Sequence, residues 1–169
     1  GVAGAYNALW MTQKRIFKKT MARLYESENY NAAKDGLKDL EFGPLKFQIT
    51  RTGRVASGAV QVMEDASIRR VTPQEFLNQT FNEPVYAQLG SADMFIPKFK
   101  HIEFSRQEFH EKPLNFKSNM EAYTQIADVL INAIYWDPKA PQLFTMKDMK
   151  KSSFRIKAIA DITCDIAPE

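Results

Sequence analysis

Residues 44–63, PLKFQITRTGRVASGAVQVM, limit the fold of this chain more than any other segment. An apolar run suited to a buried strand leads into a turn that carries Gly53 and Gly58, and a helical pattern continues from that turn. Strand, tight glycine turn and helix form the first half of a dinucleotide-binding βαβ unit. The free N–H groups of a helix N-terminus favour an anion such as a pyrophosphate, and positions without bulky side chains let it approach.

The turn matches the dinucleotide pattern at two of its three positions. The pattern has glycine first, third and sixth, and Arg51, Gly53 and Ala56 stand there in this chain. Alanine is an accepted variant at the sixth position, whereas arginine at the first is a departure. If the turn requires a positive φ, Arg51 is strained there, or else the turn has another shape. The alternative to a dinucleotide site is an α/β turn that kept its shape and lost its ligand.

Length and composition are those of one ordinary globular domain. The 169 residues suffice for a single α/β domain with a sizeable core, and the net charge of +3 gives little reason to expect a nucleic-acid partner. The sequence contains no apolar run long enough to predict a membrane span, and no secretory signal is recognisable. The single cysteine, Cys164, excludes an internal disulfide and is typical of a reducing compartment, so a cytoplasmic location is expected.

Strand and helix patterns alternate along the chain. Apolar residues recur at helical spacing over residues 1–30, which predicts a long opening helix. Strands are expected near residues 45, 68, 85, 129 and 156, with helices between them. This alternation predicts an α/β fold with a doubly wound, mostly parallel sheet. We expect a helical segment at residues 1–42 to pack on the domain formed by residues 43–169.

The second predicted strand bears on the choice of cofactor. A dinucleotide site often places an acidic residue at the end of this strand, where it holds the ribose hydroxyls. Arg69 and Arg70 occupy that region here. An arginine in this place accommodates a 2′-phosphate and so indicates NADP, the alternative being two solvent-facing arginines that flank a strand.

The last two strands supply further candidates. In an open parallel sheet, ligands lie beyond the carboxyl ends of the strands. Tyr135, Trp136 and Asp137 follow the most apolar strand, and Asp161 and Asp165 follow the final one. The first three are positional candidates for cofactor contact. The two aspartates lack a third metal ligand, so a role in the turn or in contact with a ligand hydroxyl is favoured over a metal site.

Five segments occur in order along nearly the whole chain: GAYNALW, FQITRTGRVASGA, PQEFL, ADVLINAIYWDPKAPQLFT and IADITCDI. Together they resemble the saccharopine dehydrogenase and lysine-ketoglutarate reductase group, which is related to alanine dehydrogenase and transhydrogenase. The resemblance implies a two-domain NAD(P)-dependent oxidoreductase of lysine metabolism that passes hydride at an imine formed from an amino acid and a keto acid. This chain would be its Rossmann-like nucleotide-binding domain, with the opening helix as connector from the substrate domain.

The resemblance also implies which residues contact the cofactor, NAD or NADP. They are Gly53, Arg54 and Val55 at the pyrophosphate, Ile134, Tyr135 and Trp136 toward the nicotinamide, and Asp161 near the mouth of the site. Ala56 at the turn and the strand arginines Arg69 and Arg70 complete the predicted cofactor-binding set.

The catalytic lysine and histidine of this family belong to the other domain, so the chain alone is expected to hold the cofactor and to catalyse nothing. Its expected partners are the dinucleotide and the substrate domain of the same enzyme, with self-association through an exposed apolar face of the opening helix; nucleic acid and membrane are not expected. The alternative function, favoured by Arg51, is a Rossmann-like binding or regulatory module that has lost its cofactor.

Overall fold

The chain folds around a parallel β-sheet with helices on both faces. The structure, a computed structural model, describes residues 1–99, 101–135 and 137–163. Its strands are β1 Lys46–Thr50, β2 Arg69–Val71, β3 Val85–Leu89, β4 Phe95–Pro97, β5 Phe116–Ser118, β6 Val129–Asn132 and β7 Ala158–Asp161. Its α-helices are α1 Val2–Thr12, α2 Tyr30–Asp35, α3 Arg54–Asp65, α4 Pro73–Asn78, α5 Ser91–Met94, α6 Arg106–Glu111, α7 Glu121–Thr124 and α8 Met146–Met149. Among the described residues, no helix has the length and apolar character needed to cross a membrane.

Five strands form the main sheet in the order β2-β3-β1-β6-β7, and every neighbouring pair is parallel. The predicted doubly wound parallel sheet is therefore confirmed. In the usual dinucleotide-binding order the second strand lies beside the first. Here the third strand, β3, takes that place, and Thr50 at the end of β1 is paired in register with Leu89 at the end of β3. The end of β3, not that of β2, therefore lies next to the glycine turn.

The alternation of side chains along the strands separates the core into two layers. Phe47 and Ile49 of β1 are fully buried against one layer, which contains α1 and α3. On the opposite face, β3 packs against Phe76 of α4 and Tyr123 of α7. The sheet is thus covered on both sides, as a parallel sheet requires.

The opening helix is shorter than the sequence predicts. A single π-helical turn, Gln13–Phe17, extends α1, and the helix then ends because Lys18 adopts a left-handed conformation with φ 58°. Helix α1 packs closely against α3 and against the residue that follows β7. A Cβ atom on Gly58 of α3 would lie 2.8 Å from the backbone nitrogen of Val2, and one on Gly4 would lie 2.6 Å from Cβ of Ile162. Glycine at these two positions lets α1 approach α3 and the end of β7.

Two helices, α4 and α8, begin with reciprocal capping hydrogen bonds. Thr72 accepts a hydrogen bond from the backbone N–H of Glu75, whose carboxylate accepts one from the backbone N–H of Thr72. Thr145 and Asp148 form the same reciprocal pair at α8. The hydrogen bonds that the charged Glu75 carboxylate accepts from Thr72 hold the pKa of this carboxyl below its usual value.

The segment between β3 and β6 is an insertion that carries a separate two-stranded antiparallel sheet, β4–β5. Its aromatic residues pack together: the ring centroids of Phe95 and Phe109 lie 4.6 Å apart, and Phe116 meets Phe109 edge-on at 5.2 Å. Phe99, which follows β4, is 63% exposed. Most of these aromatics therefore anchor the insertion onto the sheet.

Candidate functional site

A cavity of about 640 Å³ opens at the carboxyl ends of β1, β3 and β6. This edge of an open parallel sheet is where ligands bind in α/β proteins. The cavity is lined by the residues after β1 and the first turn of α3 (Arg51, Thr52, Gly53, Arg54, Val55), by those after β3 (Gly90, Ser91, Ala92), and by Phe104, Arg106, Ala133, Tyr135 and Thr163.

The N-terminus of α3 faces this cavity with its backbone donors free. Gly53 is the N-cap and supplies no side-chain hydrogen bond, and the first intrahelical bond runs from the N–H of Ser57 to the carbonyl of Gly53 at 2.9 Å. Within the described residues, the N–H groups of the preceding three positions, 54–56, have no partner. A Cβ atom on Gly53 would meet no protein atom within 4 Å. An anion can therefore reach the free N–H groups and the positive end of the helix dipole.

Arg51, which replaces the first glycine of the pattern, adopts a left-handed backbone conformation. Its φ is 70°, so the turn does require a left-handed residue, and an arginine holds that conformation. The cost is about 1–2 kcal/mol relative to an ordinary backbone conformation. The backbone is held by a 2.7 Å hydrogen bond from the N–H of Arg51 to the carbonyl of Leu89 and by a 3.0 Å bond from the Gln88 amide to the Arg51 carbonyl. The guanidinium extends to the end of β3, where it donates to the hydroxyl of Ser91.

The charge of the cavity is positive. Its lining includes Arg51, Arg54 and Arg106 and no carboxylate, and none of the three arginines forms an ion pair within the described residues. Burial lowers the pKa of Arg51, and the nearby charge of Arg106 lowers it further. Unpaired cations in a partly desolvated cleft favour an anionic ligand.

A second cavity, of about 370 Å³, adjoins the first at the ends of β6 and β7. Tyr135 lines both cavities and is 76% exposed. The end of β6 is fixed by Thr50, whose hydroxyl donates to the Asn132 side chain at 2.9 Å and accepts from the N–H of Ala133 at 2.8 Å. Asp161 accepts hydrogen bonds from the N–H and hydroxyl of Thr163, the latter at 2.7 Å. It therefore orders the turn after β7 at the rim of this cavity.

The structure brings most of the predicted cofactor-binding residues to these two cavities. The first is lined by Gly53, Arg54, Val55 and Tyr135, and the second by Ile134, Tyr135 and Asp161. Ala56 is fully buried in α3 and lines neither cavity. Trp136 lies outside the described residues.

Arg69 and Arg70 are placed away from both cavities, on the edge strand β2. The side chain of Arg69 forms a 2.8 Å ion pair with Glu83, and that of Arg70 donates to the Gln88 side chain at 2.9 Å. The physical reason is the strand order: because β3 lies between β2 and β1, residues of β2 are one strand further from the glycine turn than in the usual order.

Two cavity residues had no signal in the sequence that singled them out. Ser91 follows the carboxyl end of β3, so the strand-end rule would have identified it had the strand order been known. Arg106 starts α6 in the insertion, and no local pattern connects it to the glycine turn.

Comparison with known proteins places this chain among distant relatives of one enzyme. Alpha-aminoadipic semialdehyde synthase of Arabidopsis thaliana is 28% identical over 142 residues, which cover 73% of this chain and 13% of the relative. The mouse enzyme of that name, designated mitochondrial, is 29% identical over 129 residues, covering 73% and 14%. The chain therefore spans about one seventh of the length of these relatives. No protein-family model matches it. These matches confirm, at a distance, the family resemblance drawn from the sequence.

Proposed function

We propose that this chain, a distant relative of the alpha-aminoadipic semialdehyde synthases, is the NAD(P)-binding domain of an amino-acid oxidoreductase. One observation carries the proposal: the free N-terminus of α3 and an arginine-lined cavity meet at the carboxyl edge of a parallel sheet. A dinucleotide needs a pyrophosphate site at such a helix and room on either side of it along the sheet. The two adjoining cavities, which share Tyr135, provide that room.

The residues of this chain would bind and orient the cofactor. The N–H groups of the first turn of α3 would donate to the pyrophosphate, with Gly53 permitting its approach and Arg54 adding charge. Ile134, Tyr135 and Asp161 would contact the other half of the dinucleotide at the ends of β6 and β7. The bound nicotinamide supplies hydride chemistry. The substrate, an imine of an amino acid and a keto acid, would be held by a partner domain of the intact enzyme.

A titration of this chain with NADH and NADPH, followed by calorimetry, tests the proposal. We expect saturable binding of a dinucleotide with a stoichiometry of one site, because the free N-terminus of α3 and both adjoining cavities belong to this chain. Hydride transfer by the chain alone is not expected, because the family resemblance assigns the catalytic lysine and histidine to the other domain.

A second candidate function, a module that has lost its cofactor, is favoured by the Arg51 side chain, which lines the cavity and donates to the Ser91 hydroxyl. The variant Arg51→Gly distinguishes the two, because glycine adopts the left-handed turn without strain and leaves the cavity open. If the native chain binds no dinucleotide at millimolar concentration and the variant does, Arg51 blocks the site and the second candidate is correct. Binding by the native chain supports the cofactor domain.

A further inference from the structure

We infer that a third cavity, separate from the two at the candidate cofactor site, binds a phosphate-bearing anion. This lysine cavity, of about 310 Å³, is lined by Trp10, Lys14, Lys18, Lys19, Thr20 and Met21. Within the described part of the chain, it shares no lining residue with the first two cavities. The inference is therefore independent of the proposed function and adds a second binding site to the chain.

The lysine cavity lies toward the amino ends of the strands, opposite the candidate cofactor site. The side-chain amide of Gln13 donates to the carbonyl of Glu41 at 2.9 Å, and the rings of Phe17 and Phe42 meet edge-on with centroids 6.4 Å apart. Both contacts join the end of the opening helix to the residues that lead into β1. The first cavity opens at the other end of β1, beyond Thr50. An anion in the lysine cavity would therefore not compete for the site at α3.

The lysine cavity is positively charged. Residues 13–23 contain five basic residues and no acidic one, and no carboxylate is among the described residues that line the cavity. Lys14 and Lys18 are exposed, and neither forms an ion pair with another described residue. Lys19 pairs with Glu41 at 3.0 Å, but both side chains are exposed, and such a pair contributes little to stability. The ammonium groups are therefore available to an anionic ligand.

Lys18 adopts a strained backbone conformation at the wall of this cavity. Its φ of 58° lies in the left-handed region, which glycine usually occupies at the end of a helix. The N–H groups of Lys18 and Lys19 both donate to the carbonyl of Gln13, which fixes this conformation. Backbone strain that the surrounding structure maintains is typical of binding sites. A lysine at a position suited to glycine thus adds a charge to the cavity.

The chemistry of the lining favours a phosphate group. The guanidinium of Arg23 stacks 3.6 Å from the centre of the Trp10 ring, and the ammonium of Lys14 lies 4.8 Å from the same centre, so the ring holds two cations beside the cavity. A phosphate carries about two negative charges and three acceptor oxygens, which suit several ammonium donors and the Thr20 hydroxyl. The volume is at the lower end of the range of ligand pockets, which favours a phosphorylated small molecule or a phospholipid headgroup over an extended polymer.

NMR of the backbone amides during a titration with inorganic pyrophosphate tests the inference. The resonances of residues 14–21 and the indole N–H of Trp10 should shift saturably, with a dissociation constant below about 1 mM. Resonances of the turn before α3 report separately on the proposed cofactor site, where pyrophosphate can also bind. Failure of the inference is therefore distinguishable from failure of the proposed function.

A double variant and a matched control show whether the lysines bind the anion. Lys14→Gln combined with Lys18→Asn removes two charges from the cavity, and asparagine tolerates the left-handed conformation. The affinity for pyrophosphate at residues 14–21 should fall by at least about tenfold. Lys112→Gln combined with Lys117→Gln removes two exposed charges outside the cavity and should leave this affinity unchanged. Thermal denaturation establishes that each variant folds.

Vesicles identify the source of the phosphate. Cosedimentation with phosphatidylcholine vesicles that contain phosphatidic acid, lost in the double variant and kept in the control, assigns the site to a lipid headgroup. Saturable pyrophosphate shifts without cosedimentation assign it to a soluble phosphorylated molecule, and both results support the inference.

Two results overturn the inference. The first is the absence of saturable shifts at residues 14–21 in the native chain up to about 10 mM pyrophosphate, which would leave the lysines with only a favourable interaction with the negative end of the helix dipole. This result decides the matter even if a variant fails to fold. The second is an equal loss of affinity in the double variant and in the control, which would show an effect of net charge and not of this cavity.

Discussion

Replacing Gly53 with valine should lower the affinity for a dinucleotide by roughly a hundredfold, about 3 kcal/mol, and leave the fold intact. Gly53 is the N-cap of α3 with φ −80°, a conformation that valine adopts without strain. Because a Cβ there meets no protein atom within 4 Å, the new side chain fills open space at the cavity wall. In the proposed function, a pyrophosphate approaches the free N–H groups of α3 through that space. The cost to stability, a poorer N-cap, is about 1 kcal/mol.

The measurement is a cofactor titration combined with thermal denaturation. Gly36→Val is the matched control, since Gly36 ends α2 with φ −71°, a Cβ there would lie an ordinary 3.5 Å from the Ala33 carbonyl, and the position is remote from both cavities. The control should bind cofactor as the native chain does. Undiminished binding by the Gly53 variant would show that the pyrophosphate does not use the turn before α3.

Phe47→Ala should destabilise the chain by about 3–5 kcal/mol, a large part of the roughly 5–15 kcal/mol that stabilises a typical domain. Phe47 lies in the central strand β1 and is fully buried, paired in register with Tyr86 on one side and Val129 on the other. Its ring meets that of Phe42 edge-on, with centroids 5.6 Å apart. Loss of the ring therefore leaves a cavity in the layer formed with α1 and α3, which cannot close without moving the sheet.

Chemical denaturation of native and variant chains measures this effect. Phe99→Ala provides the control, because Phe99 is 63% exposed and its removal should change the free energy of unfolding by less than about 0.5 kcal/mol. Similar losses for the two variants would contradict the assignment of Phe47 to the core. Cofactor binding should be lost at a lower denaturant concentration in Phe47→Ala than in the native chain and should be unchanged in Phe99→Ala, since β1 carries the glycine turn.

Local patterns predicted much of the fold correctly because the interactions behind them are local. All five strands of the sheet lie near the positions that the sequence predicted, and α3 follows the glycine turn as its pattern indicated. Thr72 and Thr145 begin helices through hydrogen bonds to residues three positions away. Each of these features depends on neighbours within one turn or one strand, so the residue types alone carry the information.

The predicted length of the opening helix was wrong: the pattern indicated residues 1–30, but the helix ends at Phe17. Helical spacing continues past Phe17, yet the helix ends because Lys18 turns into the left-handed region. The side chains beyond it are held by tertiary contacts: the Arg23 guanidinium stacks 3.6 Å from the centre of the Trp10 ring, and the Tyr6 hydroxyl donates to the carbonyl of Ala22. Such contacts fold the segment back on α1 and outweigh the modest preference for continuing a helix.

The amino-acid sequence alone predicted a mostly parallel α/β fold, a glycine turn suited to an anion, and a resemblance to the saccharopine dehydrogenase group. Strand order was decided only by the tertiary structure, since pairing of β1 with β3 depends on contacts between residues about 40 positions apart that no local periodicity encodes. Because β3 lies beside β1, Ser91 and not Arg70 lies next to the glycine turn. Arg106, from the insertion, lines the same cavity as Arg51. Local residue types therefore predict the turn, whereas tertiary packing decides which charged residues surround it.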